Sequence, residues 1–335
     1  MIRTQLLLVI LSLVPILWPV PSIAGEALSS ALLEAQLCVP MNRASPISYF
    51  VRDNQWHYLK GNEAKPIGLM GKGLRAFQSG ERLLVFRHGN QPELVVFRGE
   101  QQTVIAPFQA SGDFSFGEWH EGEIFLGGFA GNEFQVLKVN SKGEVVHKVN
   151  FDVPKRQSLY TSGRLFPVLI NDRLHIYIPR SMELFELDLD LNLKSRVLVE
   201  GMPDDIARFD GLLMAELAQL SDKKDLQMNE LMAFCKAHKN KYLRVECMRL
   251  IYRNNRLGLL YNVFVLKGYS KDVISEDVLA DVSGSDENLI LTLSHGKVDG
   301  VVALSEGFVK GLFAGNQLLF THWNSKGRFY YGVEN

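Results

Sequence analysis

Along most of this chain, apolar and polar positions alternate in short runs separated by turn residues. Leu83–Phe86 follows Ser79-Gly80-Glu81, and Leu94–Phe97 follows Gly89-Asn90-Gln91-Pro92. Ile124–Leu126 follows Glu121-Gly122, Phe134–Val139 follows Gly131-Asn132, and Glu144–Val146 follows Ser141-Lys142-Gly143. Runs spaced by about 8–12 residues, with turn chemistry between them, predict an all-β domain. The clearest run is Phe185–Leu191. There Phe185, Leu187, Leu189 and Leu191 share one face and Glu186, Asp188 and Asp190 the other, which is the period of a strand.

The runs group in fours. One group spans Leu74–Pro107, a second Asp113–Asn150 and a third Arg164–Glu200. The third divides into Leu165–Ile170, Leu174–Ile178, Leu184–Asp190 and Ser195–Val199. Four-stranded units of roughly 40 residues are the grammar of propeller blades. The expected architecture is a β-propeller of six blades, the first at about 42–72 and the fifth at about 206–305. Five or seven blades also fit the irregular first and fifth units. The C-terminal segments Phe308–Phe313, Gln317–Trp323 and Arg328–Val333 give three strands. A stretch near Ala35–Pro40 is expected to supply the fourth, closing the ring from both termini and removing an exposed edge.

Two segments depart from this grammar. Residues 222–254 read as a helical hairpin inserted in the fifth blade, broken at His238-Lys239-Asn240-Lys241. Residues 268–287 read as a polar, acidic loop.

The amino terminus changes the picture. Arg3 is the only charge before Gly25, the run Leu6–Val20 is apolar, and Ser22-Ile23-Ala24 is a small-x-small cleavage site. This is the pattern of a signal peptide over residues 1–24. Pro15, Pro19 and Pro21 shorten the run below a comfortable membrane span. The mature chain 25–335 is expected as one exported, monomeric domain, periplasmic or extracellular, with no integral membrane segment. The 335 residues carry 36 Lys+Arg against 37 Asp+Glu and are 47% hydrophobic. That balance excludes a disordered chain and a basic nucleic-acid clamp.

In an oxidising compartment Cys235 and Cys247, placed symmetrically about Lys241, would face each other across the helical hairpin, so a disulfide is expected there. Cys38 is left over and expected to be buried and inert. A metal site from Cys235, His238 and Cys247 has too few ligands at irregular spacing. Asp188–Asn192 imitates the opening of a calcium loop, but the sixth position is Leu193 rather than Gly and the twelfth is Val199 rather than Glu. No phosphate loop, Gly-x-Ser-x-Gly elbow or haem motif is present, and no cofactor is expected.

Two candidate sites remain. Glu118 and His120 lie two apart on a leading strand and therefore on one face, where a carboxylate and an imidazole could share a proton or a metal. Arg75, Lys310 and Arg164 fall at comparable depths of leading strands, and Arg208 is read as starting the leading strand of the fifth blade. Such cations around a channel mouth would focus a positive potential on an anionic ligand or an acidic peptide.

The units Asn171-Asp172-Arg173-Leu174-His175-Ile176-Tyr177 with Leu184–Asp188, and Gly80–Phe86 with Glu93–Phe97, resemble the six-bladed β-propeller superfamily of the TolB-like and NHL-like kind. The resemblance covers most of residues 40–335. It implies an exported binding protein or scaffold, or one of that group's hydrolases and lactonases. Fold alone does not choose among them. The sequence favours a non-enzymatic propeller that binds a protein, peptide or small anionic ligand at the channel mouth or through the helical insertion.

Overall fold

In the computed structural model the alternating runs become antiparallel strands, and their two-residue turns have the backbone sign that tight hairpins need. Asp53-Asn54, Glu121-Gly122, Asn171-Asp172 and His295-Gly296 all have positive φ at both positions. That geometry matches the right-handed twist of the flanking strands. The structure describes residues 37–38, 45–60, 63–70, 75–87, 92–110, 114–130, 133–153, 166–223, 225–253, 255–269, 282–304, 308–314, 317–324 and 327–333.

The first sheet holds β1 (Leu37–Cys38), β2 (Ile47–Arg52), β3 (Gln55–Lys60) and β4 (Glu63–Met70). The second holds β5 (Arg75–Ser79), β6 (Arg82–Arg87), β7 (Glu93–Arg98) and β8 (Gln101–Ile105). The third holds β9 (Phe114–His120), β10 (Glu123–Ala130), β11 (Glu133–Val139) and β12 (Val145–Asp152). The fourth holds β13 (Phe166–Ile170), β14 (Arg173–Ile178), β15 (Glu183–Asp188) and β16 (Leu193–Leu198). Three helices follow: α1 (Asp204–Ala207), α2 (Leu212–Ser221) and α3 (Met228–Ala237). The fifth sheet holds β17 (Tyr242–Arg253), β18 (Arg256–Tyr269), β19 (Val282–Ser294) and β20 (Lys297–Leu304). Finally β21 (Phe308–Ala314), β22 (Gln317–Asn324) and β23 (Gly327–Val333) form a sheet of three.

The first five sheets pack face to face with their neighbours in chain order. Tyr49, Val51 and Trp56 of the first meet Leu83, Val85 and Phe97 of the second. Leu84 and Phe86 meet Ile124, Leu126 and Leu137 of the third. Phe125 and Phe134 meet Ile176 and Phe185 of the fourth, with Phe151 stacked alongside. Val168 and Tyr177 meet Val245, Tyr261 and Leu291 of the fifth. Burying a large apolar side chain contributes about 1.5–3 kcal/mol, so these four inter-sheet cores dominate the stability. Gly127 fits this scheme: a Cβ there would lie 2.1 Å from the Phe116 ring, which packs across β10. Leading strands β5, β9, β13 and β17 adjoin one another in turn, and β21 adjoins β2 and β19. This serial face-to-face packing is that of a β-propeller.

Several expectations are corrected. Among the described residues five sheets, rather than six, reach four strands, and the last has three. The N-terminal strand does not complete the last sheet, because Leu37 pairs with Val51 and Cys38 with Phe50 on β2. A nearby edge costs less loop-closure entropy than one at the far end of the chain. The helical hairpin over 222–254 is not formed. Residues 228–237 are helix, but 242–253 are strand β17. Leu243, Val245 and Cys247 alternate inward, and register shifts at Tyr242/Arg244 and Cys247/Arg249 break the alternation, so Leu250 and Ile251 mimic a helical period. The expected loop 268–287 is also partly strand, since β19 starts at Val282. The signal peptide 1–24 lies outside the described residues.

The expected disulfide is likewise overturned. Cys235 and Cys247 are both free and buried. Once 242–253 is a strand, Cys235 faces the helix-side core with Leu217 and Leu231, and Cys247 faces the core shared with the fourth blade. Burial pushes both thiols up, away from reactivity. In a Cys38→Ser background, thiol titration without reductant should find two reactive groups in denaturant and neither in the native protein. Recovering them only after reduction would restore the disulfide.

Candidate functional site

The hairpin turns that end the leading strands bring polar side chains from successive blades together. Ser79 closes β5 and is buried. Its Oγ donates to Glu118 Oε2 (2.5 Å) on β9 and accepts from the Trp119 backbone N–H (2.8 Å). The guanidinium of Arg82 lies 5.1 Å from the centre of the Trp119 ring. His120, two residues beyond Glu118, faces the next blade instead: its Nε2 is 3.3 Å from Asp172 Oδ1 in the β13–β14 turn. Lys138 bridges Glu123 of its own blade (2.9 Å) and Asp190 of the next (3.3 Å). The first blade joins the second by the same logic. Gln78 donates to Ile47 O (2.6 Å), and the Tyr49 hydroxyl donates to Glu81 O (2.9 Å) while accepting from Gly99 N (2.8 Å). Burial raises the Tyr49 phenol to about 12, so it stays a donor at physiological pH.

Glu118 and His120 therefore share a face by parity but not a reaction centre. Glu118, 4% exposed, is held back toward Ser79, while His120 is drawn forward to Asp172. Among the described residues no three His, Cys, Asp or Glu side chains converge on a point where a metal could sit. Of the four expected cations, Arg75 and Arg208 have described side chains. Arg75 opens β5, half-buried and engaged within the protein. Arg208 is not on a leading strand. It caps α1, exposed, with its Nη2 3.7 Å from Asp204 Oδ2 one helical turn back. Arg164 lies outside the described residues, and Lys310 is placed only as a position on β21.

The calcium-like run is a turn built on one carboxylate. Asp188 Oδ1 accepts from the backbone N–H of Asp190 (3.0 Å) and of Asn192 (2.8 Å), and Lys194 Nζ lies 2.8 Å from Oδ2. The hydrogen bond from Lys194, joined by those from Asn192, holds the Asp188 carboxyl far below the usual carboxylate range.

The fifth blade carries features that the pattern reading missed. β17, β18 and β19 have 12, 14 and 13 residues, against 5 to 8 in the strands of the second, third and fourth blades. Their extensions carry α2 and α3 on a separate core of Leu217, Leu231, Cys235, Leu243, Leu266 and Val282. Beside that core, on the β18 face that also carries Phe264 and Leu266, a polar row crosses three of these strands. Arg244 bonds Asn262 Oδ1 (3.0 Å) and pairs with Asp286, and Asn262 Nδ2 donates to Asn288 Oδ1 (3.3 Å). Asn262 and Asn288 are 3% and 1% exposed. The available signal was an Asn inside the apolar run Leu259–Val263 and another opening the run Leu289–Leu291.

No family model matches the chain, and no curated protein matches it. Solved structures do align along most of it. The β-propeller domain of the Trilobed protease from Pyrococcus furiosus is 10% identical, with a TM-score of 0.41 over 90% of this chain and 84% of that one. Streptogramin B lyase is 10% identical, with a TM-score of 0.41 over 94% and 96%. TolB from Acinetobacter baumannii is 8% identical, with a TM-score of 0.39 over 89% of this chain and 63% of that one. The class of protein, an all-β propeller with few helices, is carried by the strand order and inter-blade cores described above.

Two predictions follow from the inter-blade joints and the Asp188 turn. Ser79→Ala leaves the buried Glu118 carboxylate one donor short and should cost about 1–3 kcal/mol in urea unfolding, with the fold retained. Because the Asp188 carboxyl is depressed in the folded state, its stabilisation is present above the ordinary carboxylate range and lost as pH falls through it and below. Asp188→Asn should be less stable than the parent at neutral pH, and the difference should shrink in melts taken below about pH 4.

Proposed function

We propose that this protein is an exported, non-enzymatic β-propeller that binds a protein partner through the lobe on its fifth blade. The observation that carries this reading is the lobe itself: strands extended past the length of their neighbours, two helices, and a hydrophobic core of their own. The propeller's inter-blade packing does not require it, and additions of this kind on a rigid scaffold are where recognition concentrates. Leu212 and Met232 on its helices are 57% and 52% exposed, apolar surface of the sort that interfaces cover. Residues 1–24 supply the export signal in this reading. No helix among the described residues is long and apolar enough to cross a membrane. The separate engagement of Glu118 and His120 speaks for binding over hydrolysis.

A photo-reactive residue placed at Met232, compared with one at Lys142 on the third blade, tests the site in cells that export the chain. Discrete adducts from position 232, competed by excess unlabelled protein, are expected; adducts from position 142 are not. Equal labelling from both, or hydrolase activity lost in Glu118→Gln, would overturn the reading. The exported chain should begin at Gly25 by mass.

A further inference from the structure

We infer that the lobe recognises an acidic segment of its protein partner, at the exposed face and C-terminal end of α3. This inference rests on the lobe being the binding surface. Asn229, Met232, Ala233 and Lys236 form one outward stripe at helical spacing, while Leu231 and Cys235 are turned into the core. Lys239 and Lys241 continue the stripe beyond the helix. Their turn is fixed to the end of β18 by Asn240 N–H to Leu266 O (2.7 Å) and Leu266 N–H to Lys241 O (2.9 Å).

These three lysines are clustered and unpaired, whereas the other exposed, unpaired lysines among the described residues, Lys60, Lys142, Lys148 and Lys297, are scattered. Lys65, Lys138, Lys194, Lys223 and Lys267 each have a carboxylate partner within 4.0 Å. Lys236, Lys239 and Lys241 are exposed and have no carboxylate among the described residues within that distance. The nearby acids are already engaged: Glu230 holds Lys223 at 3.2 Å, and Glu216 lies 4.0 Å from His238. Three unneutralised cations within six residues, beside an exposed methionine, complement a segment that mixes carboxylates with an apolar anchor. An anionic lipid surface fits less well. A helix lying in a bilayer interface needs a broad apolar face, and Leu231 and Phe234 of α3 are spent on the lobe's core, leaving Met232 alone as a large apolar side chain on its exposed stripe.

The test uses the full mature chain and a fluorescein-labelled peptide of Glu, Asp and Leu, read by anisotropy. A matched peptide with Lys for the acids is the control. The acidic peptide should bind, weaken as salt rises, and bind at least about tenfold more weakly to K236E/K239E/K241E. It should bind unchanged to K142E/K148E, which reverses two exposed lysines on the third blade. Thermal melts confirm that both variants fold. Equal binding of the basic peptide, or no loss on reversing the three lysines, would overturn the inference. So would lysine-dependent binding to phosphatidylglycerol vesicles without peptide binding. Adducts at position 232 that persist in the reversed variant would sink this inference and leave the lobe reading standing; loss of the position-232 adducts from the parent would sink the lobe reading first.

Discussion

Everything in this molecule depends on one constraint: a strongly twisted sheet with two apolar faces must cover both. Each of the second, third and fourth blades does so by packing between two others. The Phe134, Phe151 and Phe185 rings meet between the third and fourth, as Tyr49, Trp56 and Phe97 do between the first and second. Because the cores between the first five sheets are shared, the first four blades have no hydrophobic interior of their own, and order propagates from neighbour to neighbour. Turns at the strand ends are then free to carry polar residues, and those residues latch adjacent blades.

The latches explain why an acid and a histidine two residues apart are drawn to different partners. Parity puts Glu118 and His120 on one face of β9, yet the blade is flanked on both sides. Ser79 holds one side chain and Asp172 the other. Joints of this kind align neighbouring blades, and the charge they use is no longer free for chemistry. The fifth blade is where the constraint relaxes. Its strands run past the ring, so their extra apolar length must be covered by something else, and α2 and α3 do it. Their outer surface is the part of the lobe that no neighbouring core demands.

Particular residues show how much could be read in advance. The third repeat group was largely legible, since the apolar-rich runs Phe166–Ile170, Arg173–Ile178 and Glu183–Asp188 are set off by turn residues, though the strand expected to run on through Leu191 stops at Asp188. β17 was not legible as a strand, because the register shift between Cys247 and Arg249 moves the buried positions out of period two. The cysteine pairing failed with it: symmetry about Lys241 has meaning only if both flanks are helices. Arg208 failed for a similar reason, since counting strands from turns could not see the one-turn helix that it caps.

The sequence by itself determined what local chemistry controls: an all-β chain, the positions of most hairpins, and which face of each strand is apolar. Periodicity and turn propensity are set within a few residues, so they can be read without knowing the fold. Tertiary structure alone decided the rest. It determined which edge Leu37–Cys38 joins, how many sheets reach four strands, which blade outgrows its neighbours, and where each buried polar group finds a partner. Those outcomes depend on contacts between residues tens of positions apart, where competing edges and faces differ by only a few interactions and no local pattern records which of them wins.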